Sequence, residues 1–138
     1  MPKLTQYPTE DAEQAALFRW AERAACTMPE LRLLYAVPNG GYRHVTTAVN
    51  LKRTGVKAGV PDICLPVARG GCHALYVEMK RVKGGTVSEA QREWQAALNA
   101  QGNMAVVCYG WEDARKVVEN YLHYEGPDMR GDWNGSDI

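Results

Sequence analysis

The chain has 138 residues, 46% of them apolar and 23% charged, and its 16 basic side chains are balanced by 16 acidic ones. That length suits one domain with a core of its own and is too short for two. No apolar run approaches the roughly 18 residues needed to span a bilayer, and "MPKLTQYPTEDAEQ" lacks the apolar segment of a secretory signal, so no membrane association and a cytosolic location are expected.

The elements can be read off in chain order. "TEDAEQAALFRWAERAACTM" predicts a helix capped by Thr9, with acids in its first turn and a stripe of Ala16, Leu17, Trp20 and Ala24. "LRLLYAVP" predicts a short strand after Pro29, ended by the turn signal "NGGYR". "HVTTAVNLKRTG" predicts a short helix closed by Gly55. "VPDICLPV" and "ALYVEMK" predict two strands joined as a hairpin through "ARGGCH". In "SEAQREWQAALNAQG", Ser88 and Gln91 fit a capping box, Trp94, Leu98 and Gln101 share a face, and Gly102 ends the helix. "MAVVCYG" predicts an apolar strand buried on both sides. "WEDARKVVENYLHY" predicts a last helix with Ala114, Val117, Val118 and Tyr121 inward. The sum is an α/β domain over residues 1–124, a sheet of about four strands with helices on both faces, and a flexible C-terminal tail over 125–138.

The cysteines, Cys26, Cys64, Cys72 and Cys108, stand singly, and His44, His73 and His123 are not spaced as zinc ligands, so reduced thiols and no zinc centre are expected. His44 is a lone loop histidine, of the solvated kind. Charge is unevenly spread. Residues 42–83 hold eight Lys or Arg against Asp62 and Glu78, a local charge of +6, and the rest of the chain carries −6. Such a division suits an anionic partner.

The strand "LYVEMK" sets Leu75, Val77 and Met79 on one face and Tyr76, Glu78 and Lys80 on the other. A hairpin turning at Gly70–Gly71 pairs residues whose numbers sum to about 141. An even sum, 140 or 142, or a bulge is needed to bring Asp62 onto the face of Glu78 and Lys80. Their Cβ atoms would then lie about 5 Å apart, or 7–8 Å on the diagonal. Two carboxylates that close repel unless a cation lies between them. Hard oxygen ligands suit Mg²⁺ or Mn²⁺, with the Met79 carbonyl as a third donor and Lys80 placed to orient an attacking water. No phosphate-cradling glycine motif supports a nucleotide hydrolase.

"GVPD" followed after fifteen residues by "EMK" resembles the P-D…(D/E)-x-K nuclease signature. The ordered set "VPNGGYR", "GVKAGVPDICLPV", "LYVEMKR", "VSEAQREWQAALNAQG" and "AVVCYGWEDA" resembles the virus-type replication-repair nuclease domain over roughly residues 13 to 121. The resemblance implies a restriction-endonuclease-like core, a central mixed sheet flanked by helices, and catalytic positions at Asp62, Glu78 and Lys80. Glu13 matches the acidic residue of the family's first helix and is a candidate metal ligand; it also fits a first-turn acid favoured by the helix dipole. Gln91 matches a glutamine near the active centre; it also fits the cap of its helix, and the two roles are expected to compete for one amide. Asn39, Gly40 and Gly41 match the loop after the first strand.

The activity implied is Mg²⁺- or Mn²⁺-dependent hydrolysis of DNA, leaving a 5′-phosphate and a 3′-hydroxyl, on branched substrates such as four-way junctions and in a phage or prophage setting. Arg43, Lys52, Arg53, Lys57, Arg81 and Lys83 are candidates to grip the phosphate backbone. A homodimer is implied, with Phe18, Trp20, Tyr121 and Tyr124 as aromatic side chains beyond the needs of one core. The rival readings are an inactive nucleic-acid-binding module, a non-selective nuclease or nickase, and a structural α/β subunit.

Overall fold

A computed structural model of the chain describes residues 7–38 and 45–129. Helix α1 (Glu10–Ala24) starts where Thr9 accepts a hydrogen bond from the Ala12 N–H at 3.1 Å. Its buried row is Glu13, Leu17 and Ala21, at i, i+4 and i+8, while Ala16, Trp20 and Ala24 of the expected stripe are only half-buried beside it. The strand expected from "LRLLYAVP" is cut short. Pro29 opens a 3₁₀ turn over Pro29–Leu33, Leu31 enters the core, and only β1 (Tyr35–Ala36) pairs as strand. Proline at the first helical position favours that turn because its fixed φ is already helical and its missing N–H is not needed there.

After α2 (Val45–Arg53), the hairpin arms are β2 (Ile63–Leu65) and β3 (Leu75–Lys80), then come α3 (Glu89–Ala100), β4 (Met104–Tyr109) and α4 (Trp111–Leu122). The sheet order is β1-β2-β3-β4, antiparallel at the first two pairings and parallel between β3 and β4. Helix α3 makes the crossover that a parallel pair requires.

The hairpin reconciles its turn with its face. At the tip Arg69 opposes Cys72 around Gly70 and Gly71, both at positive φ, as a two-residue turn requires. In the body Ile63 opposes Val77 and Leu65 opposes Leu75, a register one residue out of step with the tip. Three residues, 66–68, face two, 73–74, and a tight bond from the Val67 N–H to the Leu65 carbonyl (2.9 Å) absorbs the extra one. This bulge gives the pairing sum of 140 that sets Asp62 across from Glu78.

On one face of the sheet Ile63, Leu65, Leu75, Val77, Met79 and Cys108 pack against Leu17 and Ala21 of α1 and Ala114 and Val118 of α4. Tyr121 belongs to this core, with its hydroxyl donating to the Val67 carbonyl at 2.6 Å, so it is not an interface aromatic. Phe18 and Trp20 pack on the core's edge, and the half-buried Tyr124 donates its hydroxyl to Pro127 of its own chain.

Two expectations about α3 and β4 are corrected. The buried positions of α3 are Gln95 and Asn99, with Trp94 and Leu98 half-buried and Gln101 exposed. Of β4 only Ala105 and Cys108, one on each face, are fully buried, while Met104, Val106 and Val107 are half-buried and Tyr109 is exposed, and the strand lies at the sheet edge. These are one fact: Asn99 donates to the Ala105 carbonyl (3.2 Å) and accepts from the Ala105 N–H (2.8 Å), standing in for the missing neighbour strand. Residues 125–129 are the described part of the expected tail, and there the Met129 N–H bonds the Gly70 carbonyl at 2.9 Å. A Cβ at Gly70 would strike Met129 and one at Gly71 would strike Asp128, so the glycines of the turn make room for it. Among the described residues no helix is long and apolar enough to cross a membrane.

Candidate active site

The face opposite the core carries the polar side chains of β3. Glu78 is buried, 2% exposed, and the pairing of Ile63 with Val77 puts Asp62 directly opposite it. Asp62 is the first residue beyond β2, and its side chain continues the ladder: Oδ2 accepts from the Met79 N–H at 2.8 Å, while its carbonyl accepts from the Val37 N–H at 2.7 Å. The Met79 N–H thereby fixes the Asp62 carboxylate. Lys80, also buried, holds its Nζ 3.9 Å from Glu78 Oε2 and 3.9 Å from Glu10 Oε1.

Gln91 joins this group without leaving its cap. Its Oε1 accepts from the Ser88 N–H (2.9 Å), Ser88 Oγ accepts from the Gln91 N–H (3.1 Å), and its Nε2 donates to Glu78 Oε2 (3.0 Å). The expected competition between cap and centre does not arise, because an amide has two ends and each finds its partner.

Electrostatics make Glu78 the unusual member. Burial first, then the neighbouring Asp62 carboxylate, push it from its ordinary 4.5 up to about 9. The Lys80 ammonium pulls the other way and does not win. Glu78 Oε1 is buried with no hydrogen-bond partner. An orphaned carboxylate oxygen facing a second carboxylate matches the donor set of a hard divalent cation such as Mg²⁺ or Mn²⁺, so the residues present fit one. No group of three or more His, Cys, Asp or Glu side chains placed to hold a metal occurs among the described residues.

Glu13 is elsewhere. It is buried with its Oε1 accepting from the Trp111 N–H at 3.3 Å. Helix α4 has Gly110 at its N-cap and no side-chain cap of its own, so Glu13 supplies the acceptor from α1. The first-helix acid that reaches the centre is Glu10, one turn earlier on the same helix. The spacing of three that puts Glu10 and Glu13 on one side of α1 is visible in the sequence.

Lys52 and Lys57 are exposed; Arg53 bonds Asn50 Oδ1 (2.8 Å). Arg81 is spent on structure, donating to the Tyr7 carbonyl at 3.0 Å with its Nε buried and unpartnered, and Lys83 sits 5.7 Å from the Tyr7 ring centre. Arg43, His44, Asn39, Gly40 and Gly41 lie outside the described residues.

The family model of the VRR-NUC domain matches residues 8–112. Among solved structures, a VRR_NUC domain protein is 30% identical with a TM-score of 0.76, the match covering 90% of this chain and 98% of that one. No curated protein matches.

Proposed function

Because the chain belongs to the VRR-NUC domain family, a nuclease-type family, we propose that it is a Mg²⁺- or Mn²⁺-dependent DNA endonuclease acting through Asp62, Glu78, Lys80 and Gln91. The observation that carries this is the buried Glu78, with one oxygen orphaned and Asp62 directly opposite. Asp62 and Glu78 would hold the cation, which supplies Lewis acidity at the scissile phosphate. Lys80 offers a positive charge where negative charge builds on the phosphate. Gln91 and the Met79 N–H fix the two carboxylates, so that little reorganisation is left for the reaction. Glu10 takes the first-helix position beside Lys80 that Glu13 does not fill.

The substrate we propose is branched DNA, four-way junctions included, cut by a symmetric homodimer. One centre cuts one strand, and paired cuts need two centres related by symmetry. Of the aromatic anchors expected for that dimer Tyr121 is buried in the core and Phe18, Trp20 and Tyr124 are half-buried, so the dimer rests on the need for two centres. An inactive binding module is disfavoured because Asp62, Glu78 and Lys80 are all present. The test is cleavage of linear, forked and four-way DNA in Mg²⁺ or Mn²⁺, alongside sedimentation at micromolar protein. Metal-dependent cutting that prefers the branched substrates, by a dimer, is expected. A monomer cutting all three equally leaves a nuclease without branch selectivity, and no cutting of any of them overturns the proposal.

A further inference from the structure

The face that carries Asp62 and Glu78 also carries an aromatic row. Tyr35 and Tyr76 both pair directly with Cys64, so the three side chains stand in line across β1, β2 and β3. The line lies two residues along the strands from the Asp62–Glu78 pair, about 7 Å. Tyr35 is 50% exposed and Tyr76 is half-buried, whereas Cys64 between them is only 2% exposed.

A tyrosine rising straight from a sheet holds its hydroxyl well above its neighbours. Cys64 lies on the same face as both rings and is nevertheless only 2% exposed, so the rings that flank it lean over β2 and cover the thiol. Two leaning rings present a broad apolar floor in place of two upright edges. A solvated sheet face gains nothing from such a floor. It does continue the site: a DNA strand lying over the carboxylates along the strand direction crosses it within one or two nucleotides, at about 3.4 Å per stacked nucleotide. Base–aromatic stacking is tolerant of sequence, but it is open only to a base released from its own duplex.

We propose that Tyr35 and Tyr76 form a stacking floor for an unpaired nucleobase one or two nucleotides from the scissile phosphate. This deepens the nuclease proposal and rests on it. It assigns to these two rings a choice of DNA in which the nucleotides flanking the cut are unpaired.

The test compares binding, without added metal, of two forked DNAs. One carries 2-aminopurine in the single-stranded nucleotides next to the fork and the other carries abasic sites there. The wild-type protein is expected to bind the base-containing fork about tenfold more tightly, within the range of one base–aromatic stack, and to quench its fluorescence. Tyr35→Phe keeps the ring and should keep the ratio. The double variant Tyr35→Leu/Tyr76→Leu should bring it close to one. Because each variant is its own control across the two DNAs, a general loss of stability does not imitate the result. A wild-type ratio near one, a ratio that survives the double variant, or no binding of either fork overturns the inference. Metal-dependent cleavage is scored separately, so a protein that cuts DNA with a ratio of one loses the floor and keeps the nuclease.

Discussion

Gln91 bonds Glu78 with its amide nitrogen, at 3.0 Å, and the first turn of α3 with its amide oxygen. The orientation of a buried carboxylate is thus tied to the start of a helix. A cap that would be worth about 1 kcal/mol on its own also sets the geometry of the centre.

Gln91→Glu separates these two roles. Glutamate still accepts from the Ser88 N–H, but it replaces the donor facing Glu78 with another oxygen. Thermal melting should stay close to wild type when metal is present, while cleavage falls by about 10–100-fold, as for loss of a partner that orients a metal ligand. Gln91→Ala should lose both, with about 1 kcal/mol off the stability. A fully active Gln91→Glu would reduce Gln91 to a cap.

The raised Glu78 fixes the sign of a pH effect. Its folded value, about 9, lies above the ordinary 4.5 it has when unfolded, so its contribution is present in full below pH 4.5 and is lost as pH rises toward 9. In metal-free protein, Glu78→Gln should therefore melt higher than wild type at pH 8, with the gap closing toward pH 4.5. Mg²⁺ or Mn²⁺ should raise the wild-type melting temperature at pH 8 and leave Glu78→Gln nearly unmoved. A metal-free wild type more stable at pH 8 than Glu78→Gln would contradict the electrostatics.

Glu13 meets the start of α4 and Glu10 lies beside Lys80. Glu13→Gln keeps an acceptor for the Trp111 N–H and should be stable and active, whereas Glu13→Ala should lose about 1 kcal/mol in denaturant melts, as for a lost cap. Glu10→Ala should lower the cleavage rate with little change in stability, since its carboxylate is partly solvent-exposed beside Lys80. An inactive Glu13→Gln would return that residue to the catalytic centre.

Asn99 should be among the costliest polar positions to change. Asn99→Ala leaves the Ala105 N–H and carbonyl without partners in a buried setting, for a loss of about 2–5 kcal/mol in urea melts. Asn99→Asp keeps the acceptor but turns a charge toward the carbonyl, and should also destabilise. A change below about 0.5 kcal/mol, the level of an ordinary surface substitution, would show that β4 needs no stand-in neighbour.

What was legible from sequence follows physical lines. The strand period put Glu78 and Lys80 on one face, and the capping box of α3 stood in its letters because both halves are local. The bulge at 66–68 was legible only as a requirement of parity; its place depends on where the backbone can absorb an extra residue. The approach of Glu10 to Lys80 was not legible because helix period gives a side, not a height along the axis. The buried Gln95 and Asn99 were missed because an apolar stripe is the usual mark of a buried face, and here an edge strand needed amides instead.

The most direct measurement is the rate at which the wild-type chain, Asp62→Asn and Glu78→Gln cut a labelled four-way DNA in Mg²⁺ or Mn²⁺, with and without a chelator. Cutting by the wild type alone, abolished by the chelator, is the expected result, with both variants melting at least as high as the metal-free wild type. Cutting that persists in Glu78→Gln, or in the chelator, would contradict a centre built on the Asp62–Glu78 pair.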